Sequence, residues 1–362
     1  MRSGEVFRGR KMTTTESNNL HGTNLSLEET PCTIQRSGND LLRDARTIRT
    51  DSSSEQLPES AFANYNISPV IAGKEEDYSL ICPIYRPSRT DLFRARGQKS
   101  GREVVIKCFL EDRSYLREKE VQELLKKHGG NVNLLLADEF LDNEQIMVSP
   151  FMWCGDVRLL EERVKVLTPH HVKSVISGLC DALQYLHELN IVHRDVKSAN
   201  IILDGAKQLD LFMPPTPKLF DYEMGWHETV TPSSLEENPN LIVGTSYYLA
   251  PEVIKGMKYD PRSDIYAAGV TLYRFLTRGH LPFVGRDLTE VMEEHLRAPV
   301  PPLTQYNPKV SLELQYIVEK ALAKDPNKRY QIAADLKRDY LEAVENNIDV
   351  DVEIDVNVDR WR

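Results

Sequence analysis

No stretch of the 362-residue chain approaches the roughly 18 consecutive apolar residues that a membrane-crossing helix needs, so no membrane span is expected. Cysteine is scarce and scattered. Cys32, Cys82, Cys108, Cys154 and Cys180 are odd in number and form no C-x-x-C pair, which argues against a disulfide framework or a zinc site. Reduced thiols in a cytoplasmic setting are the expectation. Positive charge is not in surplus either. Lys and Arg number 45 against 55 Asp and Glu, and the formal charge of −10 argues against a nucleic-acid binder that works by phosphate neutralisation. The basic N-terminus, Met1 to Lys11, leads into Thr-Thr-Thr-Glu-Ser-Asn-Asn rather than an apolar segment, so a Sec-type signal peptide is not expected. Export by a route without that mark, or a nuclear location in a eukaryotic cell, stays open.

What is present is unevenly distributed. Residues 1–76 are rich in Ser, Thr, Asn, Arg and Glu with few aromatics, and such a segment buries too little apolar surface to offset its ordering entropy. A mostly disordered extension is expected there. Within it, Leu41 to Ala45 reads either as a docking element or as a helical turn with no role. From Tyr78 the texture changes to short apolar runs. Strands are expected at Tyr78 to Ile84, Leu92 to Ala95, Glu103 to Leu110, Leu134 to Phe140 and Gln145 to Ser149, with a helix at Leu116 to Lys127. After Gly155 the spacing becomes helical, at Pro169 to Leu189, Ile265 to Arg278, Leu288 to Leu296, Leu312 to Ala323 and Ile332 to Asn346. The tail, 346–362, alternates branched apolar and acidic or amide residues from Ile348 to Asp359. That pattern suits an acidic tail without structure, or a strand added to a sheet edge of this chain or of a partner.

One short loop, His193-Arg194-Asp195-Val196-Lys197-Ser198-Ala199-Asn200, gathers four chemical capacities. An aspartate can accept a hydroxyl proton, and the lysine two residues on can neutralise phosphate charge. The asparagine further on can hold a metal ion, and the arginine can read a phosphate elsewhere. Other segments follow in a fixed order: Val104-Val105-Ile106-Lys107 upstream, then Lys218-Leu219-Phe220-Asp221-Tyr222-Glu223, then Gly244-Thr245 to Ala250-Pro251-Glu252, then Asp264 to Gly269, then Lys324 to Tyr330. A plain buried lysine or surface aspartate explains any one of these residues. It does not explain all of them in one order.

Together the segments resemble the eukaryotic-type (Hanks-type) serine/threonine protein kinase family over residues ~78 to ~345. The wording around Arg262 to Tyr266, Pro299 to Leu303 and Lys320 to Pro326 is similar to bacterial members. The resemblance implies an α+β, two-lobed fold at 77–345, with an N-lobe at ~77–152 of antiparallel strands plus one helix and a helical C-lobe at ~153–345. It implies ATP and Mg2+, or Mn2+ in its place, as cofactors, and protein substrates. Asp195 would be the base, Lys197 would sit against the transferred phosphoryl group, and Lys107 would hold the α and β phosphates. Glu120 would pair with Lys107, with Glu118 or Glu123 as the alternatives. Asn200 and Asp221 would ligate the metal, both being hard oxygen donors. Nucleotide contacts would fall on Leu92, Val105, Lys107, Phe151, Met152, Asp156 and Ile202. Ser149 would be a small residue at the rear of that pocket. Asp264 would anchor the catalytic loop, Arg329 would pair with Glu252, and Thr245 would bond Asp195 or Lys197.

The chain also departs from the family. Where a glycine-rich loop belongs it reads Tyr85-Arg86-Pro87-Ser88-Arg89-Thr90. Side chains obstruct the approach of backbone amides to phosphate, and Pro87 has no amide to donate. Two or three lost hydrogen bonds at ~1 kcal/mol each weaken ATP binding about ten- to a hundredfold. Arg86 and Arg89 either replace them with charge or face water. Glu223 stands in the glycine place of Asp-Phe-Gly, where it repels nucleotide, ligates metal or points away, and Gly225 is placed to restore flexibility. A long loop is expected around Met213 to Pro217. Thr229, Thr231, Ser233 and Ser234 are candidate phosphosites opposite Arg194, with Glu236-Glu237 as standing negative charge. The expectation is an active Mg-ATP-dependent serine/threonine kinase, with a regulatory partner through either tail. Its rivals are a pseudokinase scaffold that binds nucleotide weakly, and a small-molecule kinase, which the segment through Glu252 disfavours.

Overall fold

A computed structural model of the chain describes residue 65 and residues 67–85, 90–158, 169–205, 215–227 and 244–346. Strand-forming residues build one antiparallel sheet. Its members are β1 (Val70–Ile71), β2 (Tyr78–Tyr85), β3 (Thr90–Gly97), β4 (Glu103–Phe109), β5 (Glu139–Leu141) and β6 (Ile146–Pro150), in the order β1-β2-β3-β4-β6-β5. Period-two alternation sends Leu80, Phe93, Ala95, Val104, Ile106 and Val148 to one face, where they form a core. Leu92, Val105 and Lys107 therefore lie on the opposite face, with Leu92 paired to Lys107 across the ladder. Phe109 shares that face and packs with Tyr115 of α1 (Asp112–Lys127), alongside Ala137, Phe140 and Met147.

The sheet reaches back beyond the boundary expected at 76. Val70 and Ile71 pair with Ser79 and Tyr78, and the Tyr65 ring meets Phe93 edge-on with centroids 5.0 Å apart. The rest of the extension, 1–64, lies outside the described residues, as does the alternating tail. The strand expected at Leu134 to Phe140 shrinks to Glu139–Leu141. Leu134 and Leu135 instead run beside β9 (Thr216–Leu219): Leu135 N donates to Leu219 O at 2.9 Å and Leu219 N donates to Asn133 O at 2.7 Å. A short apolar run cannot by itself distinguish a strand from a buried connection.

Helices build the second part, which makes the fold α+β and two-lobed. The described residues contain α2 (Pro169–Glu188), α3 (Pro251–Ile254), α4 (Pro261–Leu276), α5 (Leu288–Arg297), α6 (Leu312–Ala321) and α7 (Ala333–Asn346). α4 starts at Pro261, four residues before the apolar periodicity does. Asp260 caps it in a reciprocal box with Ser263, and Pro261 suits the first helical position. Nearly every α4 side chain is buried, so this helix is the axis of the lobe. Two short antiparallel pairs flank the catalytic loop: β7 (Ile191–Val192) with β10 (Trp226–His227), and β8 (Ile201–Asp204) with β9. In the second, Ile201 pairs with Leu219, so Asn200 and Phe220 meet at the ladder's end, where Phe220 N donates to Asn200 O at 3.1 Å. The loop expected around Met213 to Pro217 is the connection of that hairpin. Thr216 and Pro217 already belong to β9, and 206–214 lie outside the described residues.

Candidate active site

The catalytic loop is pinned from below by α4. Asp264, buried in the first turn of that helix, accepts from His193 N at 2.8 Å on Oδ2 and from Arg194 N at 2.9 Å on Oδ1, while His187 Nε2 lies 2.9 Å from Oδ2 as well. Arg194 is held at φ +69°, a left-handed conformation that a non-glycine residue adopts only where its surroundings enforce it. Its guanidinium lies 4.5 Å from the centre of the Tyr259 ring.

Asp195 sits at the centre of a closed set of donors. Lys197 Nζ donates to Oδ2 at 2.7 Å, and Asn200 Nδ2 donates to the same oxygen at 3.0 Å and to the Asp195 carbonyl at 2.8 Å. Thr245 serves the other oxygen, its hydroxyl at 2.9 Å and its backbone N–H at 3.2 Å, and accepts from Lys197 Nζ at 2.9 Å. Gly244 makes this approach feasible. At φ +113° it occupies backbone space closed to other residues, and a Cβ there would lie 2.9 Å from Arg194 O. Burial works against the Lys197 charge, but the Asp195 carboxylate outweighs it and holds the pKa above the ordinary value.

Lys107 is surrounded by acids. Its Nζ lies 2.7 Å from Asp221 Oδ1, 2.8 Å from Glu223 Oε1 and 3.7 Å from Glu118 Oε2. Burial disfavours the ammonium, yet the Asp221, Glu118 and Glu223 carboxylates hold its pKa well above the ordinary value. Asp221, at φ +70°, is only half-buried, and Lys107 outweighs the desolvation to keep its carboxyl below the usual range. Burial of Glu118 wins over the pull of Lys107 and raises its pKa to about 7.

The pairing expected of Glu120 is not made; Glu118 is the α1 carboxylate that points at Lys107. Two residues along a helix are about 200° apart. Glu118, Val121, Gln122 and Leu125 share the buried face, while Glu120 sits half-buried on another, with its pKa raised by burial first and Glu123 second. Val121 and Leu125, three and seven residues beyond Glu118, were the signal in the sequence that singles it out.

Asn200 has its amide nitrogen committed to Asp195, which leaves its Oδ1 as an acceptor. Two hard oxygen donors without a closed cage suit Mg2+, which keeps waters and substrate phosphates in its shell. Among the described residues no group of three or more His, Cys, Asp or Glu is arranged to hold a metal without such help.

A model of the protein kinase domain matches residues 89–341. This chain belongs to the protein kinase family. The kinase domain is 35% identical over 176 residues to serine/threonine-protein kinase PknB of Mycobacterium leprae, covering 48% of this chain and 26% of the relative. It is 29% identical over 275 residues to a probable serine/threonine-protein kinase of Streptomyces coelicolor, covering 72% and 39% respectively. Serine/threonine-protein kinase PrkC of Bacillus subtilis is 32% identical over 183 residues, covering 50% and 26%. The chain thus spans about a quarter to two-fifths of the length of these curated relatives. No helix among the described residues is long and apolar enough to cross a membrane.

The kinase domain places the residues expected to contact nucleotide as follows. Leu92 and Val105, both half-buried, line the sheet face that carries Lys107, and buried Ser149 pairs with Val105 in the ladder. Phe151 N donates to Glu103 O at 3.2 Å, with Met152 following it. Asp156 and Ile202 bridge each other across the two segments, and Arg158 lies 3.3 Å from Asp156. Arg94, which the sequence did not single out, lies within 5 Å of the Phe151 and Trp153 ring centres and pairs with Glu103 at 2.7 Å. The floor of the lobe is tied by Glu252 and Arg329, whose Nη2 lies 2.6 Å from Glu252 Oε2. Arg86 and Arg89 fall outside the described residues, as do Thr229, Thr231, Ser233, Ser234 and Glu236-Glu237.

Proposed function

We propose that this kinase domain transfers the γ-phosphoryl group of ATP to serine or threonine hydroxyls of protein substrates. The observation that carries the reading is the closed network on Asp195. A lysine, an asparagine and a threonine hold the carboxylate in one orientation, beside the Lys107–Asp221 pair. Phosphoryl transfer asks little covalent work of a protein; it asks for positioning and charge neutralisation. Asp195 takes the proton of the incoming hydroxyl as its oxygen bonds to phosphorus and the bond to the ADP oxygen breaks. Lys197 neutralises the transferred group, and Lys107 the α and β phosphates. Asn200 and Asp221 would hold Mg2+, or Mn2+, which supplies charge neutralisation to the phosphates when bound. Leu92, Val105, Phe151, Met152, Asp156 and Ile202 would surround the nucleotide. Cytoplasmic placement, and a regulatory partner through the extension or the tail, belong to the same proposal.

Glu223 beside Lys107 and the glycine-free segment at 85–90 favour a second reading, a pseudokinase that serves as a scaffold. Incorporation of labelled phosphate from ATP into a generic basic protein decides between them, run beside Lys107→Met and Asp195→Asn. Transfer lost in both folded variants supports the kinase. No transfer by any of the three folded proteins leaves the scaffold.

A further inference from the structure

Lys107 has an acid in close ion-pair contact where the kinase family has a glycine. The carboxylate of Glu223 lies 2.8 Å from Nζ, whereas Glu118 Oε2 stands off at 3.7 Å, beyond hydrogen-bond distance. The other Glu118 oxygen is taken by Gln122 Nε2 at 2.6 Å. We propose that Glu223, rather than the α1 carboxylate, is the residue that positions Lys107 for the phosphates of ATP. This assignment rests on the phosphoryl-transfer reading above.

An ammonium group has three N–H donors. One is donated to Asp221 Oδ1 at 2.7 Å, and Glu223 Oε1 lies in ion-pair contact at 2.8 Å. Asp221 has a second task as a metal ligand, so Glu223 is the close acidic partner that has none. Its placement is fixed on both sides. Tyr222, fully buried, anchors its hydroxyl on Leu219 O at 2.9 Å and packs on His193 with ring centres 5.4 Å apart. Arg117 Nη1, from the buried face of α1, donates to the Glu223 carbonyl at 3.3 Å. Gly225 brings the chain against Val121, where a Cβ would lie 3.3 Å from Val121 Cγ2 and 3.0 Å from Tyr222 O. The lysine and the metal-binding aspartate are thus aimed from one segment, Asp221-Tyr222-Glu223. Helix α1 reaches that segment through Arg117, while its Glu118 stabilises Lys107 only at longer range.

Two double-mutant cycles and one set of rates test this. Thermal unfolding is measured for Glu223→Gln and Glu118→Gln, each in the native and in the Lys107→Met background. Side chains that interact directly give non-additive shifts. The non-additivity in melting temperature is expected to be larger for Glu223 with Lys107 than for Glu118 with Lys107; equality or the reverse order overturns the proposal. Phosphotransfer is then measured per nucleotide-binding site, counted by titration with Mg-ADP. Misaiming a catalytic group costs rate more than ground-state binding, so Glu223→Gln is expected to lower kcat about tenfold or more while KM for ATP moves less than about threefold. Glu118→Gln is expected to lower kcat by less than Glu223→Gln does. An unchanged kcat in Glu223→Gln, or a larger loss in Glu118→Gln, overturns the assignment. A native protein that transfers no phosphate refutes the kinase reading instead, and the unfolding cycles still decide which acid holds Lys107.

Discussion

Replacing Arg329 by methionine removes a charge from the best-buried ion pair of the lobe. Arg329 and Glu252 are 0% and 4% exposed as side chains, and two parallel N–H groups reach the carboxylate at 2.6 and 2.7 Å. Arg329 also donates to the carbonyls of Ala323 and Arg262 at 2.7 and 3.0 Å. Methionine fills most of the volume but strands Glu252 as a buried anion with one remaining donor, Ser263 Oγ at 2.8 Å. Breaking a buried pair from one side costs about 3–5 kcal/mol, and the abandoned carbonyls, with Lys324 O at 3.4 Å as a third, place this case at the upper end. A domain of this size loses about 2–4 °C of melting temperature per kcal/mol, so a drop of roughly 10 °C or more is expected. The assay is urea or thermal unfolding followed by circular dichroism. The double variant Glu252→Gln, Arg329→Met is expected to recover at least about 1 kcal/mol of the summed single losses, because the stranded charge is gone. A single-variant loss below about 1 kcal/mol, or strictly additive losses, would refute the reasoning. An inactive Arg329 variant is accordingly an unfolded one, not evidence for a catalytic arginine.

Other outcomes follow from the same geometry. Tyr222→Phe removes only the hydroxyl donor to Leu219 O, which keeps its bond from Leu135 N, so a loss of about 0.5–1.5 kcal/mol is expected in unfolding, against about 3–5 for Tyr222→Ala. Gly269→Val drives side-chain atoms into Ala321, whose Cβ would lie 2.8 Å from the new Cβ, and overpacking of that α4–α6 contact is expected to cost about 1–3 kcal/mol. His295 is fully buried with its Nδ1 at 2.8 Å from the Tyr266 hydroxyl, and burial lowers its pKa from 6.5 to about 3. The folded state then binds fewer protons than the unfolded one between those values, so this residue costs stability as pH falls from about 6.5 to about 3. Unfolding of His295→Gln is expected to depend less steeply on pH over that window; an unchanged dependence would remove His295 from the account.

Much of the site is legible in one dimension because its chemistry lies in short segments. Asp195, Lys197 and Asn200 sit on one loop, and their order along it already states their roles. Thr245 beside Gly244 and Asp264 at a helix start are readable for the same reason: local backbone conformation and a cap fix where those side chains go. The pairings of Lys107 were less legible. Whether Glu118 or Glu120 faces the lysine is a matter of about 200° around α1; the adjacent leucines at 124 and 125 support either rotation, and only Val121 tips the pattern toward Glu118. Leu134 to Leu136 reads as strand because apolar runs carry no period, and it lies in fact against β9 between the sheet and the helices.

Composition and motif order alone determined that this chain is an α+β kinase domain, with a set of polar groups suited to phosphoryl transfer. Periodicity and capping residues suffice for that, since each acts within a few residues. Only the tertiary structure decided which acid meets Lys107. Glu118, Asp221 and Glu223 reach it from a helix and a loop more than a hundred residues apart in sequence, and at these separations the choice turns on an ångström. That distance comes from how Tyr222, Arg117 and Gly225 seat the loop against α1, a packing result that no local pattern encodes.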